Sequence, residues 1–462
     1  MLRLKATGVF VVLLAAFFLA SCSGSTGVAP DPSNQASVFT IGTDAPLQGV
    51  VSCLITVTGV TLNNGTTNVS VLSTPQVVDF AQLSGLHQLL DLNSVPTGTY
   101  TSATVTLATP VIGFIDTTQT PPAVSTMNGT LSQTSVTVNF ANPFVLNDAD
   151  LVGLRMEFDL RQSLATDGSG NVTGAVNPVF HMQLLAADDS NVSIDCFLAG
   201  VVGVTNDTTF VVQGPKGRHW TVQTDANTAL DDPSEPVSSL TTNTIVEVSG
   251  QLDPVTHDID ASEVEVVSND NFFLGGLFTS IRPPSGAATE ADVYIRAVLP
   301  DINGVQDGQI QTLSLDGSEK YKIANIANPI TSLLFNNSAL VAGQSVGIGG
   351  ALTTSNGVST LTVHRVVLRR QGQGGGWVPG STVVQSGNAG SFQLTDQWTA
   401  GILLPSPLTV VTGNGTNFIN LSGLSALTGT QAIQLRVVGF ILVNPLTSTP
   451  VMVARSVEQV ND

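Results

Sequence analysis

The sequence predicts an all-β chain built from several modules in tandem, and three observations predict it. Hydrophobic residues make up 42% of the 462 and charged residues only 11%, while 44 Gly and 23 Pro punctuate the chain. Apolar stretches cut so often by turn formers read as short strands. Apolar and polar residues alternate with a period of two in segments such as Val51 to Leu62, which lays one face of each strand on a core. The second half of the chain also repeats itself, as tandem modules do.

The elements follow in order. Arg3 and Lys5 precede an apolar run from Val9 to Ala20. That run is short for a hydrocarbon layer of ~30 Å but suits the core of a signal peptide. Leu19-Ala20-Ser21-Cys22 resembles the bacterial lipobox, which implies cleavage before Cys22 and acylation of its sulfur. Residues 1–21 are therefore read as a signal peptide and 22–36 as a flexible Ser-, Gly- and Pro-rich tether. The expected location is a membrane surface reached by export. Ser23 resembles the outer-membrane sorting pattern, with the protein periplasmic or surface-facing. No later apolar run approaches the ~20 residues of a spanning helix.

Residues 37–195 hold strand-like stretches at Val38–Gly42, Val51–Leu62, Ala103–Leu107, Val136–Phe140, Leu151–Leu160 and Val179–Leu185. Asn64-Gly65 supplies a hairpin turn, since both residues tolerate positive φ. Leu83, Leu86, Leu89 and Leu90 fall at helical spacing and predict one short helix or helical loop. The segments TDAP (Thr43–Pro46), ITVTGVTL (Ile55–Leu62), VDF with LLDL, and VPTGTY (Val95–Tyr100) together resemble an uncharacterised lipoprotein domain family, the domain of unknown function numbered 4382. The V-P-x-G-x-Y turn recurs in prealbumin-like modules, so the resemblance implies an antiparallel β-sandwich of prealbumin- or Ig-like type. It implies no activity.

Three repeats follow, at 196–270, 271–372 and 373–462. IVEVSGQL (Ile245–Leu252), SVGIGGAL (Ser345–Leu352) and LRVVGFI (Leu435–Ile441) align Gly250, Gly350 and Gly439. Each is followed by a polar turn and a strand. FLAGVVGV (Phe197–Val204) matches FLGGLFTS (Phe273–Ser280), and WTVQTDANTAL matches LTVVTGNGTNF, pairing Thr224 with Thr412 and Thr228 with Thr416. The third repeat diverges most. The units resemble a second uncharacterised family, the domain of unknown function numbered 5666, which implies small OB-like β-barrels. A glycine recurring inside a strand marks a bulge or a barrel corner.

Charge and chemistry narrow the function. The formal net charge is −19. Between Ser37 and Asp270, 24 acidic residues face only Arg155, Arg161, Lys216 and Arg218. Nucleic acid is therefore not an expected partner, because phosphate must be neutralised by Lys and Arg. His87, His181, His219, His257 and His364 show no metal-ligand spacing, and no nucleophile, zinc or phosphate-loop motif is present. Catalytic residues and cofactors are expected to be none, with two weaker candidate sets. Asp301, Asn303 and Asp307 alternate oxygen donors with glycine as a calcium loop does, but tight turns explain them equally well. Asn147, Asp148 and Asp150, and Asp188 with Asp189, carry the same ambiguity. Trp220, Trp377 and Trp398 are candidate ligand platforms, with burial as the alternative. Cys53 and Cys196 could form a disulfide in an oxidising compartment or stay as two buried thiols.

The reading is a non-catalytic, lipid-anchored envelope protein that presents β modules for binding or scaffolding. Its partners are the membrane, through its acyl chains, and an unknown envelope protein or polysaccharide. The alternatives are carbohydrate or calcium-dependent ligand recognition at the cell surface, and a hydrolase with a spatially assembled site.

Overall fold

The computed structural model describes residues 35–45, 47, 49–83, 88–116, 118, 123–168, 170–186, 194–213, 219–230, 236–252, 258–268, 271–300, 302–324, 333–355, 358–373, 377–378, 380–386, 389–395, 407–429 and 433–459. Among them the chain is nearly all β, as composition and alternation predict. No helix among them is long and apolar enough to cross a membrane. Cys22 and the whole signal region lie outside the described residues.

Two sheets enclose the N-terminal core. One is ordered Phe180–Ala186, Leu151–Asp159, Gln35–Ala45, Gln88–Pro96. The other centres on the pairing of Val50–Asn63 with Gly98–Asp116, joined by Gln76–Asp79 and Ser135–Leu146. Inward residues of both sheets, among them Ile55, Val57, Val105, Leu154 and Phe158, share one cluster. The pairing of Gln35–Ala45 with Leu151–Asp159 is parallel, so this module is not antiparallel throughout. The VPTGTY turn has a physical basis. Gly98 takes φ +154°, and the buried Tyr100 donates its hydroxyl proton to the Pro96 carbonyl at 2.8 Å, a corner also seen in sandwich domains.

The leucine-rich segment takes a different form from the helix its spacing predicts. Among the described residues of this segment Phe80–Leu83 is a 3₁₀ turn and Gln88–Pro96 is a strand, while Leu86 lies outside the described residues. Adjacent leucines there point to opposite faces, and both faces are covered. Leu90 enters the N-terminal core, while Leu89 enters the core of the first repeat. A strand buried on both sides loses its alternation and mimics a helical pattern.

The first repeat orders its strands His219–Gln223, Thr209–Gln213, Ile194–Asn206, Ile245–Leu252, Ile259–Ser268. Val222 then pairs back to Ile259 in parallel, closing a five-stranded barrel. The second repeats this order with Ile310–Ser314, Glu290–Leu299, Phe272–Arg282, Ser345–Ser355 and Val358–Leu368. Its closing pair is not formed among the described residues. The third keeps the parallel closure, Leu408–Thr412 on Thr449–Gln459.

The three aligned glycines sit at one structural position. The register slips at Ser249/Gly250, Gly349/Gly350 and Val438/Gly439, so each glycine marks a bulge against the following strand. A Cβ there would lie 2.2 Å from the Asp260 carbonyl oxygen, 1.9 Å from that of Thr362 and 2.0 Å from that of Val453. The aligned threonines match as well. The Thr228 hydroxyl donates to the Ala261 carbonyl at 2.7 Å and that of Thr416 to the Ala454 carbonyl at 2.8 Å, in each case the residue paired with the bulge glycine. In the second repeat Glu319 takes over the turn, its carboxylate accepting from the Asp316 and Gly317 amides.

Candidate functional site

A cleft of about 640 Å³ opens where the N-terminal module meets the first and second repeats. Its floor and one wall come from the strand ends around Asp79 and Gln88, another wall from Phe197–Val202, and a third from Arg296–Leu299. Arg369 and Arg370, just past the last strand of the second repeat, complete the lining. Val77 and Leu299 also line it and stay 60% and 36% exposed, so its mouth has an apolar lip.

Charge in the cleft is arranged in pairs that cross module boundaries. Asp79 is buried in the N-terminal module and accepts the Cys53 amide at 2.8 Å. Arg296 of the second repeat brings its Nε to 3.5 Å from the other carboxylate oxygen and donates from Nη2 to the Val51 carbonyl. Burial raises the Asp79 pKa above the ordinary carboxylate range, against the opposing pull of Arg296 and the Cys53 and Ala81 amides. Beside them the Tyr294 and Ser52 hydroxyls share a hydrogen bond across the same boundary. Burial, helped by the Asp79 charge, pushes the Tyr294 phenol up to about 12. Gly113 makes room for this contact, since a Cβ there would lie 2.8 Å from the Tyr294 oxygen.

A second set ties the repeats together. Arg369 pairs with the buried Glu247 of the first repeat and lies over the Phe273 ring, 5.8 Å from its centroid. Arg370 donates to the Ser249 hydroxyl at 2.6 Å and stands 3.4 Å from the Glu263 carboxylate. Arg455 of the third repeat approaches the same Glu263 oxygen at 3.8 Å. Arg365 donates to the Val266 carbonyl at 3.1 Å.

The neutral polar groups of the cleft are disposed otherwise. The side chains of Gln82, Gln88, Gln213 and Asn243 make no hydrogen bond among the described residues, and Gln88 Oε1 is buried. Asn243 is presented from a turn at φ +74°, where its amide donates to the Val201 carbonyl.

Residues 36–173 match the family described as Domain of unknown function (DUF4382). Residues 199–265 match the Domain of unknown function DUF5666. The order of the two resemblances along the chain is as the sequence motifs imply. No curated protein is a significant match. The cleft thus lies between the N-terminal module that matches the first of these families, the barrel that matches the second, and the repeat that follows it.

The residues singled out from sequence fall elsewhere, with one exception. Trp220 is 8% exposed and packs edge-on against Phe197 within the first barrel. The side chains of Trp377 and Cys196, and all of Trp398, Asp301, Asp188, Asp189, Lys216, Arg218, His87 and His257, lie outside the described residues. Cys53 is buried on its strand. Asn303 and Asp307 occupy two tight turns whose glycines, Gly304 and Gly308, have φ of +84° and +82°. Asp307 is the exception, because it lines the cleft. The Asp150 carboxylate caps the Asn147 amide at 2.8 Å, and Asp148 accepts the Gln35 amide at 3.3 Å. Among the described residues no three His, Cys, Asp or Glu side chains gather as metal ligands would. His181 stands 3.8 Å from Asp159, and His219 and His364 are exposed on their strands.

Sequence reasoning missed the cleft's own residues. The adjacent Arg369-Arg370, in a chain with only 15 Lys plus Arg, was the available signal. Isolated glutamines carry none.

Proposed function

We propose that the chain is a non-catalytic, lipid-anchored envelope protein whose β modules form a platform for binding, with the junction cleft as its recognition surface. The observation that supports this most is how the charged side chains of the cleft are used. Asp79, Arg296, Arg369 and Arg370 each face an opposite charge on another module. Such pairs hold modules in register, whereas acid–base catalysis needs a titratable group facing a substrate. The site needs no cofactor in this reading. Its partners are the membrane, through acyl chains on Cys22, and an envelope protein or polysaccharide.

Metabolic labelling with a palmitate analogue tests the anchor. The mature protein should begin at Cys22, take up the label and fractionate with membranes, while Cys22→Ala should do neither. An unlabelled wild type, or a Cys22→Ala protein still held by membranes, would overturn the anchor.

A further inference from the structure

On the reading that the cleft is a recognition surface, its lining also indicates what is recognised. A volume of about 640 Å³ is that of a small-molecule site, and such sites favour domain junctions. Two classes of polar group line it. The guanidiniums of Arg296, Arg369 and Arg370 each face a carboxylate, those of Asp79, Glu247 and Glu263, so a charged ligand at any of them would have to break a pair that already exists. A carboxylate entering beside Arg296 would meet Asp79, and an ammonium entering beside Asp79 would meet Arg296. Either leaves a like charge in a poorly hydrated place.

The carboxamides of Gln82, Gln88, Gln213 and Asn243 have no such commitment. Each offers a carbonyl acceptor and two N–H donors. They reach the cleft from the 3₁₀ turn and the strand after it in the N-terminal module, and from a strand end and a turn of the first repeat. A buried acceptor such as Gln88 Oε1 favours a ligand that donates to it, because leaving it unpaired carries a desolvation cost. Between these amides run apolar side chains, Leu89, Phe197, Leu198 and Val298, ending at the lip of Val77 and Leu299.

We infer that the cleft binds a neutral, polyhydroxylated ligand of oligosaccharide size, with carboxamides reading its hydroxyls and the apolar wall covering its C–H face. Hydroxyls donate and accept at once, as the amides do, and they add no charge beside arginines that already face carboxylates. A peptide would bring amides of the same polarity, but its termini or side-chain charges would meet the paired ions.

The test uses the full-length protein in detergent micelles on an array of neutral, uronate-bearing and amine-bearing oligosaccharides, followed by calorimetry on the best neutral glycan. Neutral glycans should bind, and charged analogues of the same length should not. Gln88→Leu and Gln213→Leu should each weaken binding about tenfold, the loss of one or two net hydrogen bonds. Val77→Trp, placed on the exposed lip, should block binding while leaving the thermal unfolding midpoint unchanged. Cys22→Ala protein should bind as the wild type does, so failure of the anchor leaves this result standing. Binding to no neutral glycan, equal binding of uronates, or full affinity in both Gln88→Leu and Val77→Trp would overturn the proposal.

Discussion

The first and third repeats both press their glycine-bulged hairpin against the second, and they do so with opposite chemistry. In the first repeat the outward positions before the bulge are Glu247 and Ser249, faced by Glu263 and Glu265 on the next strand. All are buried. Glu247 and Glu265 are direct cross-strand partners, a pairing of like charges that destabilises a sheet unless cations sit over it. Arg369 of the second repeat supplies a cation to Glu247, and its neighbour Arg370 supplies one to Glu263. In the third repeat the outward positions beyond the bulge are Phe440, Leu442, Val451 and Val453, and all four belong to the core cluster of the second repeat. Their inward neighbours Ile441, Met452 and Ala454 fill the third repeat's own core. One polar tie reinforces this side, from the Gln344 side chain to the Ile441 carbonyl at 3.0 Å. The same supersecondary unit therefore makes a junction with buried ion pairs once, beside an apolar contact of Ile245 with Phe273, and a mainly apolar one once. What differs is which end of the hairpin meets the neighbour.

The largest expected effect separates the two junctions. Glu247→Ala removes the buried carboxylate that pairs with Arg369 beside Phe273. Removing one partner of a buried pair costs about 3–5 kcal/mol. The double variant Glu247→Leu with Arg369→Met should recover most of that loss, because matched apolar groups replace a buried pair at little cost. Urea unfolding of the wild type, Glu247→Leu, Arg369→Met and the double variant measures the coupling. Additive losses would mean that the pair holds nothing together.

The apolar junction should respond to volume and ignore salt. Leu442→Ala should cost about 2–5 kcal/mol, the range for emptying a buried leucine site. That loss should be the same at low and high ionic strength. The approach of Arg455 to Glu263 involves an arginine 29% exposed and should be the salt-sensitive contact of this region. A salt-dependent loss in Leu442→Ala would mean that this junction too is carried by charge.

These junctions show how much the sequence made legible. The β class, the repeat and its three glycines could be read because backbone geometry demands them. A bulge against a carbonyl admits no Cβ, and the demand recurs in each unit. The apolar junction left a trace, since Gly439–Val443 (GFILV) and Val451–Ala454 (VMVA) lack alternation, as strands covered on both faces do. The same cause made Gln88–Pro96 look helical. The cleft left almost none. Gln82 and Gln88 lie more than a hundred residues before Gln213 and Asn243, and only the packing of modules brings the two pairs together.

The bulge is what the hairpins of all three repeats have in common, so it should fail alike in each. Gly250→Ala, Gly350→Ala and Gly439→Ala each force a methyl group to within about 2 Å of a backbone carbonyl oxygen. Each should cost roughly 1–3 kcal/mol, the range for overpacking a site that can shift only partly. Gly203→Ala is the control, because nothing lies within 4 Å of its Cβ position, and it should stay within about 0.5 kcal/mol of wild type. Chemical denaturation compares the four. If Gly350→Ala alone were tolerated, the bulge would not be a shared requirement, and the likeness of the hairpins would be one of outline only.

The smallest expected effect concerns the junction of the N-terminal module with the second repeat, where the Asp79–Arg296 pair lies near the apolar contact of Val51 with Leu277. Asp79 is buried there with Arg296 beside it, and burial raises its folded pKa above the value of a free carboxyl, about 3.9. The sign follows from linkage. Below the unfolded value the group is protonated in both states, and its favourable contribution is fully present. As pH rises from there through the folded pKa, the unfolded chain ionises more readily than the native one, and that contribution is lost. Arg296 limits the loss, because it stabilises the ionised form. Asp79→Asn keeps the acceptor for the Cys53 amide and removes the titration. Its stability should therefore fall less than that of the wild type over this interval, with the two curves running parallel at higher pH. Denaturation midpoints measured at half-unit steps from pH 3.5 upward resolve the difference. Parallel curves throughout would mean that Asp79 ionises in the folded protein as easily as in the unfolded chain, and that this junction is ionic like the one made by Glu247.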